Sequence, residues 1–151
     1  MSDITEQQAR PIMASQKFCN THLDWLERNN HAGHLLALSS VEDETGAIFP
    51  GLTIQLEVKR PIVVDRCLYE LGLFWLESGV RRRVYQLNVS PIDKRSHNGL
   101  NKVIFGPHEH IGDTVSPVRM AGIECGGLTP AFELFCQRIN LRFTGTLGSP
   151  L

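Results

Sequence analysis

Leu52-Thr53-Ile54-Gln55-Leu56-Glu57-Val58-Lys59 places an apolar side chain at every even position and a polar one at every odd position. Successive side chains of an extended chain point to opposite faces, so this two-residue period specifies a strand with one dry and one wet face. Ile54, Leu56 and Val58 are expected in the core, and Gln55, Glu57 and Lys59 in solvent.

The neighbouring segments extend the same reading. Upstream, Leu35-Leu36-Ala37-Leu38 is a short apolar run that ends in the polar turn Glu42-Asp43-Glu44-Thr45-Gly46, as a strand entering a loop does. Downstream, the stretches from Cys67 to Leu76 and from Val80 to Val89 are joined by Glu77-Ser78-Gly79, which suits a hairpin. In the second arm Tyr85, Leu87 and Val89 share one face, and Gln86 and Asn88 the other. Lys102 to Ile111 reads as a further extended segment.

Helices are expected at the two ends. Thr5 and Gln8 have the spacing of a capping box, with Ala9, Ile12 and Met13 following at helical intervals and Pro11 kinking or shortening the helix. Phe18 to Arg28 carries apolar weight at Leu23, Trp25 and Leu26 without a clear period. Near the other end, Thr129-Pro130 offers a cap with proline at the first helical position, and Phe132, Phe135 and Ile139 fall on one side. The expected fold is therefore α+β, an antiparallel sheet flanked by an N-terminal and a C-terminal helix, as one domain over residues 1–151. No strand–helix alternation, Rossmann fingerprint or phosphate-binding loop is present.

Length and composition agree with a single globular unit: 151 residues, 42% hydrophobic and 21% charged. Fifteen basic and sixteen acidic side chains leave a net charge of -1, without the strongly basic footprint of a dedicated nucleic-acid binder. Arg81-Arg82-Arg83, with Lys59-Arg60 and Lys94-Arg95, reads either as a phosphate-contacting patch or as solvated surface. Cys19, Cys67, Cys125 and Cys136 are widely spaced among apolar neighbours and read as reduced thiols. With no membrane-length apolar run and no secretory leader, a cytoplasmic protein is expected.

Chemistry concentrates in Ser96-His97-Asn98-Gly99 and Gly106-Pro107-His108-Glu109-His110. In an extended backbone His108 and His110 project together, and two imidazoles titrating near neutrality can hold a metal or serve as acid and base. His97, in the preceding loop, is the natural third member. Pro107 places the pair at a strand start or edge. The alternative is a pair of partly exposed histidines that only complete hydrogen bonds. A metal-free site is favoured over zinc or another divalent ion on His108 and His110, which Cys125 or Asp113 would have to complete.

The series from Arg83 to Val89, then His97-Asn98-Gly99, then Gly106 to His110 resembles small uncharacterised bacterial proteins with an Arg-Leu-Asp strand, a His-Asn-Pro-Asp-Gly loop and a Pro-His-x-His strand. More distantly it resembles the TumE-like toxins of bacterial toxin–antitoxin pairs. The likeness covers about the middle third of the chain, and here Gln86 and Asn88 stand where the pattern has arginine and aspartate. It implies a toxin-like or mobile-element-borne phosphodiesterase acting on RNA, partnered by an antitoxin or other protein. His108 and His110 would be acid and base, with His97 as helper. Arg82, Arg83, Gln86 and Asn88 would hold the substrate. The competing expectation is a non-catalytic binding protein, a phage or defence-system component recognising a protein or a small ligand.

Overall fold

The computed structural model describes residues 4–28, 33–59, 68–98 and 103–150, with only the backbone of residues 96–98. Helix α1 (Glu6–Ala14) leads into three short strands, β1 (Lys17–Cys19), β2 (His22–Leu23) and β3 (Leu26–Glu27). Four long strands follow: β4 (His34–Glu42), β5 (Ile48–Lys59), β6 (Leu68–Glu77) and β7 (Val80–Val89). Two small hairpins come next, β8 (Arg95–Asn98) with β9 (Val103–Phe105), and β10 (His108–Ile111) with β11 (Thr114–Pro117). The chain ends in α2 (Leu128–Arg138), β12 (Leu141–Phe143) and β13 (Thr146–Leu147).

Among the described residues, the main sheet runs β11-β10-β7-β6-β5-β4-β1-β12, with β3 on β4. It is antiparallel except where β12 returns beside β1; a second parallel pair, β13 on β2, lies outside it. The α+β class and the two terminal helices are thus observed. The parallel returns were not anticipated, because strands of two or three residues carry no readable period. For the same reason the stretch after Ser15, ambiguous in sequence, turns out extended.

Register explains the faces. Leu56 lies opposite Leu71, which lies opposite Leu87, and Ile54, Leu73 and Tyr85 form the next row. These six side chains are fully buried, and α2 packs on their side of the sheet, with the Phe135 ring 6.1 Å from that of Tyr85. The other face carries Glu57, Glu70, Asn88 and His108 in one row and Gln55, Gly72, Gln86 and His110 in the next. Gly72 has no side chain to offer there, and the Phe74 ring occupies the space a Cβ would fill.

Two expectations about strands need correction. Ile54, Leu56 and Val58 are buried as expected, but Glu57 is buried too, and Gln55 and Lys59 are half-buried. Glu57 is tolerated because Arg28 donates to its carboxylate at 3.0 Å, with the His34 ring 3.8 Å away; a buried carboxylate without such a partner would be costly. The segment expected as one strand from Lys102 to Ile111 is broken at Gly106-Pro107. Gly106 takes φ +78, which a side chain disfavours, and β9 and β10 join different sheets.

The ends of the chain are fastened by polar contacts. Thr5 and Gln8 form the expected capping box, and the next free amide, Glu6 N–H, donates to the Asp113 carboxylate at 2.9 Å. Helix α2 begins one residue before Thr129, on Gly127, so Thr129 is not its cap. The C-terminal ends of both helices meet at Lys17, which is fully buried. Its ammonium donates to the carbonyls of Ile12, Met13, Ser15 and Ile139.

Candidate functional site

β10 pairs with β7 so that His108 faces Asn88 and His110 faces Gln86. The period-two argument is upheld: the two imidazoles sit side by side, ring centroids 5.1 Å apart and edge to face. Their expected solvent access is not, for His108 is 2% exposed and His110 8%. The cover was not legible, because it comes from outside the strand that carries them.

Two hydrogen-bonding contacts orient the His108 ring. Nδ1 lies 3.3 Å from the Gly106 carbonyl, which can only accept, and Nε2 lies 3.1 Å from the Asn88 amide nitrogen. Asn88 Oδ1 has no partner among the described residues, so turning the amide over would present an acceptor to an imidazolium. Arg83 joins from the same face, donating to Gln86 at 3.2 Å, and Arg81 lies 4.0 Å over the Phe74 ring and bonds Gln55.

Of the residues singled out in sequence, His108, His110, Gln86, Asn88 and Arg83 therefore come together. Arg82 does not, since strand alternation sends it to the opposite face of β7, in register with Trp75. His97 lies opposite Ile104 in the β8–β9 hairpin, and its side chain is outside the described residues, as are His31, Arg60 and Cys67. Among the described residues no three histidine, cysteine or acidic side chains are grouped as a metal would need. Asp113 is occupied by α1, and Cys125 is disulfide-bonded, which corrects the expectation of four reduced thiols. Cys19 and Cys136 are free.

On the apolar face, one polar cluster escaped the sequence reading. Glu109, between the two histidines in sequence but pointing the other way, is buried and ion-paired with Arg138 of α2 at 3.3 Å. The Tyr85 hydroxyl lies beside both without a well-formed hydrogen bond. Burial, and then the Glu109 charge, raise its pKa well above the ordinary phenol range. The cluster pins α2 to β10.

A cavity of about 940 Å3 opens elsewhere, between α2, the adjoining ends of β5 and β6, and the C-terminal tail. Val58, Leu128, Phe132, Leu141, Phe143 and Leu147 make most of its wall. Phe132 and Phe143 meet edge to face at 5.0 Å, giving that wall a rigid aromatic part. Cys136 also lines it, its thiol pushed up to about 12 chiefly by burial, so this sulfur is an apolar surface rather than a nucleophile. Tyr69, Lys59, Thr129 and Gln137 are among the few polar groups.

The arrangement thus offers two places for function on opposite faces of one sheet, a closed histidine pair and an open, mostly apolar cavity. Among the described residues no helix is long and apolar enough to cross a membrane. Comparison with protein-family models, with curated proteins and with solved structures gives no match for this chain.

Proposed function

We propose that this chain is a non-catalytic binding protein for a small, largely apolar ligand, held in the cavity beside α2. The observation that carries this reading is the cavity itself: about 940 Å3, with apolar and aromatic walls and a few convergent polar groups. That is the size and lining of small-molecule sites in general. The buried histidines support the same choice, since no substrate reaches His108 or His110 without displacing what covers them.

The test uses a neutral apolar fluorophore, N-phenyl-1-naphthylamine, titrated into the intact protein. Saturable binding of one molecule per chain is expected, lost in Thr129→Trp, which places a large ring in the cavity wall from an exposed helix position. No binding, or binding that survives this substitution, overturns the reading.

The 5.1 Å histidine contact favours a second reading, acid–base chemistry on a phosphodiester such as RNA, with His97, His108 and His110 acting and Arg83, Gln86 and Asn88 holding the substrate. The two readings differ in what His108→Ala does. As a satisfied buried ring, His108 should cost about 1–3 kcal/mol of stability when removed, with cavity binding unchanged. As an acid or base, its loss should lower RNA cleavage roughly a hundredfold or more, and His110→Ala should do the same. Melting temperature and RNA cleavage, measured together on both variants, decide between them.

A further inference from the structure

Resting on the binding-protein reading, we infer that the cavity takes an amine with an apolar body, its ammonium seated at the cavity mouth beside Glu133. Helix α2 presents two stripes to this space. Leu128, Phe132 and Cys136, spaced so that they share one side of the helix, form the inner stripe and are buried or half-buried. Thr129, Glu133 and Gln137 form the outer stripe, and all three are exposed. A ligand lying along the helix therefore meets apolar surface on its body and a polar border at its head. The Glu133 carboxylate stands in the middle of that border.

The sign of the head group follows from how the nearby charges are used. Lys59 is the only basic side chain described on the wall, and its ammonium lies 3.6 Å from the Glu70 carboxylate. Arg138, further along α2, turns to Glu109, and the Lys17 ammonium is enclosed by backbone carbonyls. Glu133 has no ion pair among the described residues, and its helical neighbours Thr129 and Gln137 carry no charge to balance it. The described wall thus carries one unbalanced charge, and it is negative.

That charge is felt inside the cavity. The Cys136 thiol is pushed up by burial first and by Cys19 next, and Glu133 adds to the same effect. A carboxylate that disfavours a thiolate on the cavity wall also disfavours an anionic head group there and favours a cationic one. The positive pole of α2 lies at its Gly127 end, so the ammonium belongs further along the helix, at Glu133. The apolar remainder of the wall takes an aliphatic or aromatic body.

The experiment compares decylamine, 1-decanol and decanoate, each below its micelle concentration and at low salt, for displacement of N-phenyl-1-naphthylamine. Decylamine should bind roughly threefold to fivefold more tightly than decanol, the size of effect an exposed ion pair gives, with decanoate weakest. Glu133→Gln should bring decylamine to the affinity that decanol shows in the same variant, and Glu133→Lys should make decanoate the tightest of the three. The ammonium assignment is overturned if decylamine and decanol bind the wild type equally, if the preference survives Glu133→Gln, or if decanoate stays weakest in Glu133→Lys. The cavity then remains a site for neutral apolar ligands. If neither the fluorophore nor any of the three ligands binds, the binding-protein reading falls with it.

Discussion

Replacing Lys17 by methionine should lower the stability of the fold by about 3 kcal/mol or more, because several buried carbonyls would lose their donor together. Four backbone oxygens surround its ammonium, at 2.7 Å for Ser15 and 2.8 Å for Ile139 among them. Three come from the end of α1 and one from the end of α2. An ammonium has only three N–H donors, so every one is used, and both helix ends present their negative poles to it. Methionine has similar length and fills the space without donating. For a domain of this size, the melting temperature should fall by roughly 6–12 °C.

The pH dependence of the same variant gives a separate check. Burial pushes the pKa of Lys17 down from 10.5 to about 8. At pH 7 the group is protonated in both folded and unfolded chains, and the desolvation penalty is fully present. Between about 8 and 10.5 the unfolded chain keeps a proton that the folded chain has released, so the contribution of this group to stability rises with pH. The gap between wild type and Lys17→Met should therefore widen from pH 7 to pH 10. A gap that stays constant or narrows would mean that the carbonyl cage holds the ammonium charged throughout.

Much of this architecture is written in local sequence patterns. The alternation from Leu52 to Val58, the hairpin at Ser78-Gly79 and the capping box at Thr5 each depend on residues close in the chain, and each is realised. What sequence could not show depends on distant partners. Glu57 reads as a surface residue until Arg28, just past the end of β3, arrives at its carboxylate. The adjacency of His108 and His110 follows from strand period, but their burial depends on cover that period cannot reveal. The cavity is harder still to anticipate: Val58, Tyr69, Gly126 to Gln137, and Leu141 to Pro150 come from four separate stretches, and each apolar residue among them reads as ordinary core. One signal was present, the Cys125-Gly126-Gly127-Leu128-Thr129-Pro130 start of α2, where the cap position is occupied by a residue without a side chain.

Among the described glycines, Gly145→Ala should be a strongly disruptive methyl addition. A Cβ at Gly145 would lie 1.9 Å from the Thr21 carbonyl oxygen and 2.7 Å from its carbon, both backbone atoms that cannot rotate aside. The clash falls between two parallel contacts that hold the C-terminal segment: Thr144 N–H donates to Cys19 O at 2.9 Å, and Gly148 N–H to Leu23 O at 3.0 Å. Relief requires the segment to move away from β2, which gives up the β13 pairing and the bond from Trp25 Nε1 to the Gly148 carbonyl. Losses of this kind are expected to total about 2–4 kcal/mol, from overpacking together with broken hydrogen bonds. The consequence reaches function, because Leu147, Gly148, Ser149 and Pro150 form one side of the cavity. Gly145→Ala should therefore abolish binding of N-phenyl-1-naphthylamine at temperatures where circular dichroism still shows the sheet intact. Full binding with an unchanged melting temperature would show that the tail is not held where these contacts place it.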